Sequence, residues 1–121
     1  MLDQLVHYLW RITMLTKKFF KTKDEVEVTF EFNRSDVTTA ALVGDFNDWQ
    51  AIEMKFNKKT QSFKTKLRLP KGGIFHFRYL LNATEWENDY QADQYLPNAF
   101  GSENSVVVTT PSEAMVMMGK Y

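Results

Sequence analysis

Residues 25–32, Glu25-Val26-Glu27-Val28-Thr29-Phe30-Glu31-Phe32, read EVEVTFEF. Apolar and polar side chains alternate throughout. A helix would scatter Val26, Val28, Phe30 and Phe32 around its circumference. A strand lines them on one face and puts Glu25, Glu27, Thr29 and Glu31 on the other. The stretch predicts a half-buried antiparallel strand, dry on one side and wet on the other.

The same period recurs along the chain. SFKTKLRL (62–69) sets Phe63, Thr65, Leu67 and Leu69 against Lys64, Lys66 and Arg68. VTTAALV (37–43), IFHFRYLL (74–81) and SVVVTT (105–110) read as further strands, and residues 52–56 add a short one before the turn NKKTQ. PKGG (70–73) is a turn signal. Six or seven short strands, roughly 8–12 residues apart, predict an all-β sandwich. No helix is required after residue 16. One segment breaks the rhythm: residues 84–104, TEWENDYQADQYLPNAFGSEN, show no period of two. Their aromatics and proline predict a long, folded, functional loop.

The ends read differently. In residues 2–15, LDQLVHYLWRITML, apolar side chains follow helical spacing, while Asp3, His7 and Arg11 interrupt the run. It is too short and polar for a membrane span of about 20 residues. It predicts a short amphipathic helix, either docked on the domain or forming a homodimer contact. Residues 1–15 are thus an N-terminal segment, 16–110 the domain, and 111–121 a Met-rich tail without a functional reading.

Composition narrows the function. The chain has 121 residues, which fits one domain. Fifteen basic and 15 acidic side chains cancel, which argues against a nucleic-acid partner. There is no cysteine, which excludes disulfides and thiolate chemistry and suits the cytoplasm. His7 and His76 lack ligand spacing, so no metal or other cofactor is expected. The carboxylates Asp45, Asp48, Glu85, Glu87, Asp89 and Asp93 fall in polar segments, where they stay ionised. A glycosidase needs two across a cleft, about 5–10 Å apart, one of them with a raised pKa. No phosphate loop, dinucleotide fingerprint or nucleophile elbow occurs. No catalytic residue is assigned, and the chain is not expected to be an enzyme.

The aromatics remain. VGDFNDWQ (43–50) ends an apolar run in Gly44 and holds out Phe46 and Trp49 on a polar loop. Trp86 follows the strand that carries Arg78. If Phe75, Phe77, Tyr79 and Leu81 face the core, Arg78 faces outward with Ile74, His76 and Leu80. A flat indole suits the C–H face of a sugar, and Arg or Asn suits its hydroxyls. Each tryptophan alone is equally well read as cover for a sheet edge. The pair together with Arg78 and Asn104 is more specific.

With these residues the sequence resembles a family. ALVGDFNDW (41–49), LPKGGIFHFRYLL (69–81) and WENDYQADQYLPNAFGSENSVVVTT (86–110) are similar to carbohydrate-binding module family 48. This is the isoamylase N-terminal, or early-set, domain, which includes the glycogen-binding module of the AMP-activated protein kinase β-subunit. The resemblance covers about residues 16–110. It implies an immunoglobulin-like early-set β-sandwich of about seven antiparallel strands that binds α-1,4-glucan, as glycogen, starch or maltooligosaccharide. It implies that Trp49 and Trp86 stack on glucose, that Arg78 meets hydroxyls, that Phe100 reaches into the glucan ring, and that Ser102 and Asn104 complete the set. Gly44 is expected to let the chain turn and present Trp49. The sequence departs from the family where Asn82-Ala83 replaces the usual Asp-Gly turn, with Thr84 added. Two readings follow: a glucan-binding module, alone or beside a glucan-metabolising enzyme; and, as the alternative, a regulatory or protein-interaction domain that has kept the sandwich and lost the sugar.

Overall fold

The computed structural model describes residues 12–117. In it Val26, Val28, Phe30 and Phe32 are all 0% exposed, so the alternation is realised as one face of a core strand. The described residues form β1 (Ile12–Phe19), β2 (Glu25–Asn33), β3 (Ala40–Gly44), β4 (Ile52–Glu53), β5 (Lys55–Asn57), β6 (Ser62–Pro70), β7 (Ile74–Leu81), β8 (Glu85–Glu87), β9 (Gln94–Pro97) and β10 (Glu103–Val108). A 3-10 turn spans Asp45–Asn47, and a short helix, α1, spans Glu113–Met117.

The strands make an all-β sandwich of two antiparallel sheets. One sheet has the order β1-β2-β6-β5. The other has the order β4-β3-β7-β10-β9, with β8 also paired to β7. The chain changes sheets between β4 and β5 at Met54, which is buried in the core. Aromatic contacts join the layers: Phe30 meets Phe77 edge-on at 5.0 Å, and Phe32 lies 5.2 Å from Tyr79. Each such buried ring contributes about 2–3 kcal/mol of apolar burial, so this stack dominates the interior. On the wet face of the first sheet, Glu27 and Glu31 stand opposite Arg68 and Lys64 in register. Their ion pairs are 3.9 Å long and partly exposed, and such cross-strand pairs contribute little.

The structure departs from the sequence expectations first at β1. Residues 12–15 belong to β1, not to a helix. β1 pairs along its length with β2, from Ile12 opposite Asn33 to Phe19 opposite Val26, so the domain begins before residue 16. The rest of the expected helix, residues 1–11, lies outside the described residues. Second, residues 84–104 contain β8 and β9 and are not one long loop. Third, the tail carries α1. Ser112 caps it, its Oγ accepting the Met115 N–H at 3.2 Å.

Candidate functional site

The loop GDFNDW divides its two aromatics. Phe46 is not held out: it packs against the core, with its ring centroid 6.2 Å from that of Phe30. Trp49 is 43% exposed. The role of Gly44 is also other than expected. Its backbone is extended, at φ −157°, so no left-handed turn requires glycine there. Space requires it, because a Cβ would fall 2.3 Å from the Phe46 ring and 2.8 Å from the His76 carbonyl oxygen. The left-handed residues are Asp48 and Trp49 themselves, at φ 59° and 62°. That conformation is costly for a bulky side chain. The Trp49 N–H donates to the Gly44 carbonyl at 2.8 Å and closes the loop. Asp45 Oδ1 accepts the His76 N–H at 3.0 Å and ties the loop to β7.

On β7 the alternation sends Phe77, Tyr79 and Leu81 inward, each 0% exposed. His76 and Arg78 take the opposite face. β8 pairs back on β7 with Trp86 opposite Leu80, which brings the indole to that outward face. The Arg78 guanidinium carbon lies 5.8 Å from the Trp86 ring centroid. The Asn82-Ala83 departure does not prevent this. Both residues adopt positive φ, 50° and 60°, and the Thr84 N–H closes the turn on the Leu81 carbonyl at 3.0 Å. Thr84 is an extra residue before pairing resumes at Glu85. Asn82 Oδ1 also accepts the N–H groups of Thr38 and Thr39. Arg34 grips Glu85 with two hydrogen bonds of 2.7 Å. The Glu85 hydrogen bond, with Asp36 adding, holds the Arg34 guanidinium above its ordinary pKa against the opposing effect of burial.

The tip between β9 and β10 supplies the third wall. Asn98 Oδ1 accepts the N–H groups of Phe100 and Ser102, at 2.9 and 3.2 Å. That fixes its amide so that Nδ2 donates to Ser102 Oγ at 2.9 Å and to Asn104 Oδ1 at 3.1 Å. Asn104 Nδ2 in turn meets His76 Nδ1 at 3.2 Å. An amide N–H donates, so Nδ1 is the acceptor there. Gly101, at φ 81°, turns the tip where other residues would be strained. Phe100 projects from it, 92% exposed.

Together these elements enclose an open groove of about 920 Å³, lined by Asp45, Trp49, His76, Arg78, Trp86, Pro97, Asn98, Ala99, Phe100 and Asn104. Of the residues singled out from the sequence, Trp49, Arg78, Trp86, Phe100 and Asn104 meet here. Ser102 does not line the groove; it lines a neighbouring concavity. Sequence reasoning missed His76, Asn98 and Asp45 as groove residues. His76 shares the outward parity of Arg78, and Asn98 stands two residues before Phe100, next to the Gly101 turn; both signals were available.

Four of the other carboxylates are engaged. Glu85 and Glu87 face Arg34, and Asp93 pairs with Lys17 at 2.6 Å. Asp89 is not in a wet loop: it is 0% exposed. Its Oδ2 accepts the Tyr79 hydroxyl and its Oδ1 the Gln91 N–H, both at 2.7 Å. Burial pushes its carboxyl above the usual range, against the pull of those hydrogen bonds and one from Thr13. Among the described residues, no cluster of His, Cys, Asp or Glu is arranged to hold a metal ion, and no helix is long and apolar enough to cross a membrane. No protein-family model matches the sequence, and no curated protein is significantly similar to it.

Proposed function

We propose that this chain is a non-catalytic binding module for α-1,4-glucan, of the early-set, immunoglobulin-like kind found in carbohydrate-binding module family 48. It acts in the cytoplasm on glycogen, starch or maltooligosaccharides, alone or beside a glucan-metabolising enzyme. The observation that carries this reading is the shared groove. Trp49 and Trp86, each about half exposed, flank a polar floor of Arg78, His76 and Asn104. Sugars present an apolar C–H face and a rim of hydroxyls, and this wall-and-floor arrangement matches both. The left-handed strain at Trp49 supports it further, since strain of this kind clusters at ligand sites.

The non-catalytic part rests on the lining. Among the described residues, Asp45 is the one carboxylate that lines the groove, and glycoside hydrolysis needs two. Affinity electrophoresis through a glycogen-loaded gel tests the binding, with reducing-sugar release from glycogen as the companion assay. Retardation without release is the expected result. An unretarded chain that instead comigrates with a cellular protein would assign the aromatic patch to a protein partner.

A further inference from the structure

The tip between β9 and β10 separates two concavities. The groove lies on one side. On the other is a space of about 600 Å³ lined by Asn88, Tyr95, Pro97, Asn98, Gly101, Ser102 and Glu103. Pro97 and Asn98 belong to both linings, so both concavities border the tip that carries Phe100. We propose that this second concavity is a saccharide subsite, and that Tyr95 is its stacking platform for further glucose units of the same α-glucan chain. The proposal rests on the glucan reading of the groove.

Tyr95 has the properties of a platform. It is 41% exposed, yet its hydroxyl donates to the Asp89 carbonyl at 2.5 Å. The ring is therefore held at both ends and loses little freedom when a ligand covers it. Asp89 is itself fixed, its N–H donating to Ser105 Oγ at 2.8 Å. Tyr95 stands opposite Ser105 in register, and Ser105 stands opposite the buried Phe77. Asn104, one residue before Ser105, points into the groove. By strand alternation Tyr95 and the groove occupy opposite faces of the sheet, and a chain that uses both must pass the tip.

The chemistry of the lining selects the ligand. Among the described residues it offers an aromatic face, a proline, a hydroxyl, the carboxylate of Glu103 and two amides already engaged within the protein, and no Lys or Arg. A phosphate-bearing ligand would find no cation there and one repelling charge. A neutral polyhydroxy ligand finds a stacking face, the Ser102 hydroxyl and, as the strongest acceptor, the Glu103 carboxylate. The bend of α-1,4-linked glucan suits a path that curves over Phe100 from one face to the other.

Isothermal titration of the whole chain with two probes tests this: β-cyclodextrin, which is confined to the groove, and a maltodextrin long enough to pass the tip. Tyr95→Ala is expected to weaken maltodextrin about tenfold, the scale of one lost aromatic anchor, and to leave β-cyclodextrin unchanged. Tyr95→Phe keeps the ring and is expected to keep both affinities. Glu103→Ala, an exposed surface change, is expected to weaken maltodextrin alone and covers the case in which Tyr95→Ala does not fold. Equal binding of maltodextrin by wild type, Tyr95→Ala and Glu103→Ala overturns the subsite and leaves the groove reading intact. Parallel loss of both sugars in Tyr95→Ala, with a lowered melting temperature and no effect of Glu103→Ala, makes Tyr95 structural and also overturns it. A wild-type chain that binds neither probe overturns the groove reading, and the subsite with it.

Discussion

The Arg78 guanidinium carbon lies 5.8 Å from the Trp86 ring centroid, on the outward face of β7. The cation is drawn to the π-face of the indole, an attraction of about 0.5–1 kcal/mol at exposed sites. Arg78 Nε is buried and has no hydrogen-bond partner among the described residues. Through the cation–π contact Arg78 steadies the Trp86 wall. Arg78→Ala is expected to weaken β-cyclodextrin binding by about 1 kcal/mol, less than the ~1–3 kcal/mol expected for Trp86→Ala. Titration and thermal unfolding of both variants check the order. A steep fall in melting temperature for Arg78→Ala would mean that the residue holds the sheet together and is not a ligand contact.

Asn98 serves the groove without being a stacking wall. Its side-chain amide fixes Phe100, Ser102 and Asn104 at once. Asn98→Ala releases two backbone N–H groups and the Asn104 oxygen together. It is expected to cost about 1–2 kcal/mol of stability, the usual scale for an Asx-type cap. Sugar affinity is expected to fall by more than Phe100→Ala alone produces, since Asn104 also loses its orientation toward His76. Equal sugar affinity in wild type and Asn98→Ala would show that Phe100 and Asn104 hold their places without it.

The core was legible in the sequence and the sandwich edges were not, for a physical reason that β1 makes plain. Its buried Thr13 breaks an apolar alternation, and so does Lys17 two positions beyond Leu15. Both are satisfied by residues distant in the chain: Thr13 Oγ1 accepts the Tyr90 N–H at 2.8 Å, and Lys17 pairs with Asp93. Local pattern cannot show a polar residue whose partner lies more than 70 positions away. β8 and β9 failed differently, because EWE and QYLP are too short to display a period. The groove followed the same division. Exposed aromatics and an outward Arg were visible from parity. The Asn98 relay depends on tip geometry that parity does not encode.

Asp89 makes a pH prediction with a definite sign. Burial raises its folded pKa above the ordinary carboxylate value. Between those two values the native state binds more protons than the unfolded state, so stability falls as pH rises through the window. The stabilising contribution of the protonated form is complete below the ordinary value and is lost through the raised one. Asp89→Asn is uncharged throughout. Its amide oxygen can accept the Gln91 N–H, and its NH₂ can donate to the Tyr79 hydroxyl. The melting temperature of Asp89→Asn relative to wild type is expected to rise as pH increases from the ordinary carboxylate value of about 4 through the raised one. A constant difference as pH rises would contradict the raised pKa of the buried carboxylate.

Trp49 gives the sharpest test, because its side chain and its backbone make opposite demands. The side chain is 43% exposed, so its removal forfeits little core packing. The backbone sits at φ 62°, where a residue with a Cβ is strained by about 1–2 kcal/mol and glycine is not. Trp49→Ala keeps the strain and Trp49→Gly relieves it. Both variants are expected to lose β-cyclodextrin affinity by about 1–3 kcal/mol, as for any lost aromatic anchor. Trp49→Gly is expected to be more stable than Trp49→Ala by about 1 kcal/mol. A wall that is strained and exposed, and whose loss costs affinity but not stability, is one held for a ligand. The opposite pattern is equally clear. Were Trp49 a core residue, both variants would melt far below wild type by the 3–5 kcal/mol typical of a buried tryptophan, and the groove would lose the wall on which its sugar reading depends.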